Sequence, residues 1–251
     1  MESFLIGEMI EMKHFREVEK YIQPEMLVLL DIDDTLLIPG QMLGTDEWLS
    51  HKIKHYGQTL TDHSKAFQMA LQEWVAVRLL TTMHLVEEET DRVVESLQNN
   101  KSVVMGLTTQ GPETFQCTLQ HLHSLQIDLS KTAPFSEVLH FMSSKPVLYH
   151  TGILFTNGSS KGKALLIFLD KINYQPYSVL MVDDKASNLI DVENALSSRG
   201  IPFVGLRYSH NDGKKVQFNP EIAEVQWTHS KLSQILSDEE ALEILKKRGD
   251  L

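Results

Sequence analysis

Short apolar runs, each ended abruptly by polar residues, organise this chain. Met26 to Leu30 stops at Asp31, Ser102 to Leu107 at Thr108, and Ser178 to Val182 at Asp183; a fourth run covers Ile201 to Leu206. Continuous apolar runs of this length mark strands buried on both faces, as in a parallel sheet. Between them the spacing predicts helices. Residues 2–22 carry Phe4, Ile10, Phe15, Val18 and Ile22 at roughly helical intervals, with Pro24 as the stop. Residues 45–100 read as helical throughout, with apolar faces supplied by Trp48, Ile53, Phe67, Leu71, Trp74, Val75, Leu79 and Leu80. Helices are also predicted over 112–126, 161–169 and 187–198, the last closed by Gly200, and from Ser230 onward. Residues 134–158 read as strands and turns, with a hairpin arm from His150 to Gly158. Strand and helix alternating in this way predict an α/β fold, a three-layer doubly wound parallel sheet. Ligands of such sheets bind beyond the carboxyl ends of the strands. Asp31, Asp33, Thr108, Asp183 and Asp184 are therefore expected to converge.

Composition narrows the function classes. The 251 residues are 42% hydrophobic and 23% charged, an ordinary globular balance, and carry a formal net charge of -11. That charge weighs against binding a nucleic-acid backbone or an anionic membrane surface. It leaves room for a small anionic substrate, because a bound metal and one lysine reverse the field locally. The single cysteine, Cys117, allows no intrachain disulfide and has no nearby cue for activation. No apolar run is long enough to span a bilayer, and the N-terminal stretch is a poor secretory signal. The default expectation is a cytoplasmic protein, with export through an already removed signal left open. Oligomeric state is not legible.

The chemistry starts from Asp31 and Asp33. Side chains two apart on an extended segment point the same way, so two carboxylates share a small volume. That is costly unless a cation sits between them or one is protonated. Mg²⁺ answers the problem with oxygen ligands and exchangeable waters. One carboxylate can attack phosphorus and the other can move protons. Against this stands the plain alternative that acids at strand ends only cap the following turns.

The sequence Asp31-Ile-Asp-Asp-Thr35 after a buried strand resembles the first motif of the haloacid dehalogenase (HAD) superfamily. The resemblance implies that Asp31 is the nucleophile, Asp33 the general acid/base and its carbonyl a metal ligand, with Thr35 fixing the loop. A second motif, a Thr or Ser ending the next strand, is matched by Thr108, with Thr109 as the neighbouring alternative. A third, a lysine near a helix start, is matched by Lys161, with Lys163 as the alternative. The acidic pair Asp183 and Asp184 resembles the fourth. The resemblance makes Asp184 a direct Mg²⁺ ligand and Asp183 a ligand through water or an orienting group, while Asn188 stands where another acid is common. The motifs span residues 27–206. The insert at 40–100 falls where this superfamily places a helical cap, with residues 1–39 and 101–251 as the α/β core. Tyr149 to Leu165 is also similar to an uncharacterised bacterial family inside the superfamily.

The expected function is a Mg²⁺-dependent phosphohydrolase that acts on a small phosphorylated substrate through an aspartyl-phosphate. A phosphotransferase on the same site and a catalytically retired binding or effector module are the rivals. Dehalogenation suits the acid at position 33 less well. His51 and His55 lie four apart, a spacing compatible with a transition metal, but read more simply as surface histidines. Trp48 and Trp74 read as insert core. Arg207, Tyr208, His210, Asn211 and Asp212 follow the fourth strand and either reach a site mouth or form a polar turn ending in Gly213.

Overall fold

The computed structural model describes residues 9–100, 102–230 and 235–249. Along them the chain forms β1 (Met9–Met12), a 3₁₀ segment (Phe15–Tyr21), β2 (Met26–Leu30) and β3 (Leu37–Pro39). Next come α1 (Asp46–Thr59), α2 (His63–Arg78), β4 (Met83–Leu85), α3 (Thr90–Asn99) and β5 (Val103–Thr108). A 3₁₀ turn (Pro112–Thr114) leads into α4 (Phe115–Ser124), then β6 (Leu139–Met142), β7 (Pro146–His150) and β8 (Ile153–Phe155). The remainder is α5 (Lys161–Lys171), β9 (Ser178–Asp183), α6 (Ala186–Ser197), β10 (Phe203–Tyr208), α7 (Asp212–Val216), α8 (Pro220–His229) and α9 (Asp238–Arg248).

Eight strands form one sheet in the order β1-β10-β9-β2-β5-β8-β7-β6. From β1 to β8 every pairing is parallel, and β7 and β6 add an antiparallel edge. All residues of β2 are buried, as the unbroken apolar run requires. Leu27 and Leu29 pack with Met105, Leu107, Val179 and Met181 under Ala164, Leu165 and Phe168 of α5 and Leu189, Val192 and Leu196 of α6. Met26, Val28 and Leu30 alternate to the opposite face. The crossovers from β2 to β5 and from β8 to β9 step in opposite directions across the sheet. Crossovers of one hand then put α3 and α5 on opposite faces, the doubly wound arrangement the sequence predicts.

The chain divides into two compact units, residues 1–37 with 85–211 and residues 38–84 with 212–251. The second unit has its own core. Leu43, Trp48, Trp74, Val77 and Ala223 pack together, and Ile222, Val225, Ala241 and Leu245 form a smaller cluster. Gln226, fully buried in α8, accepts from the Leu43 amide at 2.9 Å and donates to Leu236 O and to Asp238 Oδ1. The insert is thus sewn to the C-terminal helices. Its boundaries differ from the expected 40–100, because α3 belongs to the first unit and residues from 212 onward to the second.

Other differences have local causes. The predicted helix over 2–22 is a strand and a 3₁₀ segment where it is described, and its first residues lie outside the described ones. Met9 to Met12 instead pair with Gly205 to Tyr208, a partner nearly 200 residues away that no local pattern encodes. The stretch 45–100 is broken by β4, which pairs with β3. Leu79 and Leu80, expected on an apolar face, follow the end of α2 and are exposed. Two helices, α7 and α8, fall in a stretch to which no helix was assigned. Asn219 followed by Pro220 is the signal that marks the second of them: Asn219 Oδ1 accepts from the Glu221 amide and Pro220 takes the first helical position.

Candidate active site

Asp31 leaves β2 at its carboxyl end, its amide donating to the Val182 carbonyl at 3.0 Å. That bond continues the pairing of β2 with β9 and sets Asp31 beside Asp183, the last residue of β9. Asp31, Asp183 and Asp184 are buried, and one carboxylate oxygen from each lies within 4.8 Å of the others. Lys161 enters from the first turn of α5. Its ammonium is buried and donates to Asp31 Oδ1 at 2.7 Å and to Asp183 Oδ2 at 2.6 Å. Lys163 is exposed, so burial separates the two lysines that spacing could not.

Several bonds fix this lysine. Ser160 caps α5 by accepting from the Lys163 amide, and its hydroxyl donates to Asp191 of α6 at 2.7 Å. Asp191 also accepts from the Gly162 amide at 2.9 Å. A Cβ at Gly162 would press on the Asp191 carbonyl and lie 2.7 Å from the Ala195 methyl, so α5 and α6 approach as closely as they do only with glycine here. Gly162→Ala is expected to cost about 1–3 kcal/mol, the usual cost of overpacking, and to lower turnover by displacing Lys161. Denaturant unfolding beside an activity assay checks both. An unchanged unfolding midpoint would show that the contact is loose.

Two buried carboxylates share the Lys161 ammonium, with the buried Asp184 beside them. Burial first, and then the negative charge of Asp183, push the Asp31 carboxyl well above the usual range, which Lys161 only partly offsets. Burial acts to lower the Lys161 ammonium, but Asp183 and Asp31 outweigh it and hold it above its ordinary value. Asp183 is the better satisfied acid. It accepts from Lys161, from the Lys185 amide at 2.8 Å, and from Asn188 Nδ2 at 2.9 and 3.0 Å. Asn188, which stands where another acid is common, turns its amide group to Asp183. An all-oxygen, buried donor set of three carboxylates fits Mg²⁺. Asp31 and Asp184 are suited to hold the ion, with Asp183 beside them.

Asp33 is half-buried two residues beyond Asp31. Gln110 Nε2 donates to its Oδ2 at 2.6 Å, and Gln110 Oε1 accepts from the Thr114 and Thr118 hydroxyls at 2.7 and 2.6 Å. Sequence reasoning missed Gln110, a neutral amide two residues past a motif whose attention fell on hydroxyls. Thr108, at the end of β5, is buried and its hydroxyl accepts from the Gln110 amide, whereas Thr109 is exposed. Asp34, with φ of 60°, turns the loop and accepts from Asn211 Nδ2 at 2.7 Å. Thr35 is fully buried below it. Tyr208 donates to Glu87, and Arg207 to Glu11. Asp212 opens α7 in the second unit.

Comparison with known proteins places this geometry in context. A family described as "Protein of unknown function (DUF2608)" matches residues 11–242. A Chlamydia pneumoniae protein named "Putative outer membrane protein" is 26% identical over 226 residues, covering 90% of this chain and 84% of its own. A Chlamydia muridarum protein of the same name is 24% identical, covering 89% and 83%. An uncharacterised Rickettsia prowazekii protein is 23% identical, covering 90% and 85%. Those names run against the expectation of a cytoplasmic protein, which is withdrawn. No helix among the described residues is long and apolar enough to cross a membrane. Among solved structures, a haloacid dehalogenase-like hydrolase from Streptococcus pneumoniae covers 78% of this chain and 91% of its own at 12% identity, with a TM-score of 0.46. A HAD-superfamily hydrolase from Geobacter sulfurreducens covers 77% and 96% at 14% identity, with a TM-score of 0.40.

Proposed function

The chain belongs to the DUF2608 family, which assigns no activity, and we propose that it is a Mg²⁺-dependent phosphohydrolase acting on a small phosphomonoester. One observation carries the reading: a buried lysine bridging Asp31 and Asp183 at the carboxyl ends of two adjacent parallel strands, with Asp33 within one loop of Asp31. Capping or simple packing does not call for a buried ammonium among three buried acids, because that arrangement costs stability. Phosphoryl transfer does call for it, since the work there is positioning and charge stabilisation.

Mg²⁺, which Asp31 and Asp184 would hold, would supply neutralising charge to the phosphate. The chain's own groups do the rest. An Asp31 carboxylate oxygen attacks phosphorus, the bond to the leaving oxygen breaks, and Asp33 gives that oxygen its proton. Asp33 then takes a proton from water, whose oxygen attacks phosphorus. The bond from phosphorus to Asp31 breaks, returning phosphate and the free carboxylate. Gln110 keeps the Asp33 carboxylate aimed through both halves. Lys161 stays charged and offsets the charge on Asp31 and the phosphoryl oxygens, with the Thr108 hydroxyl as a neutral donor. The names of the Chlamydia relatives support an envelope location.

Release of phosphate from an aryl phosphate, present with Mg²⁺ and lost with a chelator, is the expected result. Transfer to an added alcohol in place of water would favour the phosphotransferase. Absence of turnover on a broad phosphomonoester panel, with no Mg²⁺-dependent thermal shift, would reject the reading.

A further inference from the structure

A second group of metal-ligating side chains lies apart from the carboxylate site, and the proposed activity leaves it unused. His14 follows β1, Glu87 precedes α3, and His210 follows β10. Their ligand atoms lie within 4.8 Å of one another. Glu87 Oε1 is 3.4 Å from His14 Nδ1, and Oε2 is 3.1 Å from His210 Nδ1. A four-coordinate Zn²⁺ ion with bonds of about 2.0–2.1 Å holds its ligands roughly 3.4 Å apart. The carboxylate-to-imidazole separations already stand near that value, so little rearrangement is needed to admit an ion.

The carboxylate of this group is pre-positioned. Glu87 Oε2 accepts from the buried Tyr208 hydroxyl at 2.9 Å and from the Phe15 amide at 3.1 Å. Fixing a ligand through a second hydrogen bond in this way is what ordered metal sites do. The His210 ring stacks on the Tyr208 ring, with centroids 5.9 Å apart and planes 17° from parallel. The Lys13 carbonyl lies 3.3 Å from His210 Nδ1 and brings a further oxygen to the cluster. The His14 side chain is 60% exposed, which leaves room for water to complete the coordination.

We propose that His14, Glu87 and His210 form a second metal site that takes a Zn²⁺-class ion and fastens the segment after β1 to the end of β10. Two imidazoles with one carboxylate are donors for a borderline transition metal, whereas the all-oxygen Asp31 group suits Mg²⁺. The two sites would therefore sort ions by ligand chemistry. The ion ties the sheet's first edge strand to its neighbour where their ladder ends at Met12 and Tyr208. The competing account is that protonated imidazoles pair ionically with Glu87 and no ion is involved.

The test uses the untagged full-length chain, stripped of metal and then held in excess Mg²⁺ to satisfy the carboxylate site. Calorimetric titration with Zn²⁺ at neutral pH should show one equivalent bound and a raised melting temperature. Co²⁺ in its place should give the ligand-field absorption of imidazole ligation. His14→Ala and His210→Ala should each weaken Zn²⁺ at least tenfold, and the pair together should abolish both the thermal shift and the Co²⁺ spectrum. The sequence has 11 histidines, so the comparison with the double variant decides where the ion sits. Equal affinity in the double variant, or no saturable binding in the parent chain, would overturn the site in favour of the ionic pairs. Asp184→Asn should retain Zn²⁺ binding; its loss there would show the ion to occupy the carboxylate site instead.

Discussion

Asp31→Asn is expected to lower turnover at least about a thousandfold while leaving the fold as stable as before or more so. On the proposed mechanism the loss follows from removing the attacking oxygen, since nucleophile deletions in enzymes that work by covalent catalysis are among the costliest. The gain in stability follows from charge. Asp31 and Asp183 share one ammonium in a buried volume, and burial, followed by the charge of Asp183, pushes the Asp31 carboxyl up. A carboxyl whose folded-state value is raised favours the fold below its ordinary value, 3.8, and that advantage is lost as pH rises through the folded value. The amide never ionises and never incurs that loss. Measured without divalent metal, the melting temperature of the variant should therefore exceed that of the parent by more as pH increases above the ordinary carboxylate range. Thermal melts at several pH values, beside the aryl-phosphate assay, check both halves. Full turnover in the variant would sink the mechanism. A lower melting temperature throughout would mean that Asp31 contributes more through its bond to Lys161 than it costs through its charge.

Lys161→Met should be the most destabilising single change at the site. Methionine fills a similar volume, so the effect isolates the charge. Removing one partner of a buried ion pair costs about 3–5 kcal/mol, because the other charge is left buried and uncompensated. Here two carboxylates lose the same partner at once. For a chain of this size that corresponds to a fall in melting temperature of about 10 °C. Lys163→Met, two residues away and exposed, should stay within about 0.5 kcal/mol of the parent. Added Mg²⁺ should restore part of the loss in Lys161→Met, since a divalent ion can take over the neutralisation. Equal melting temperatures for the two variants would mean that Lys161 does not sit between Asp31 and Asp183 in solution.

The strands that carry the site were legible because burial on both faces leaves a run of apolar residues that nothing else imitates well. Met26 to Leu30 and Ser178 to Val182 are such runs, and the acids that end them are where a parallel sheet gathers its ligands. Edge strand β1 was not legible. Only Met12 of its four residues is buried, its spacing also suits a helix, and its pairing with β10 holds it extended. The choice of Lys161 over Lys163 required the helix itself, since two positions in one turn point in different directions. Gln110 and Asn188 act by orienting acids rather than by charge, and such roles depend on contacts across 77 and five residues that the sequence does not display.

The discontinuity of the second unit has a consequence for synthesis. Trp48 and Trp74 leave the ribosome early, yet the residues that cover them, among them Ala223 and Trp227, come some 150 residues later. The amides of Met42 and Leu43 likewise wait for Asp238 and Gln226 before they are satisfied. At the elongation rates of about 5–20 residues per second that are typical of translation, the insert spends roughly 8–30 seconds with an uncovered aromatic face. A nascent chain of this protein is therefore expected to keep that face uncovered through most of the second half of its translation.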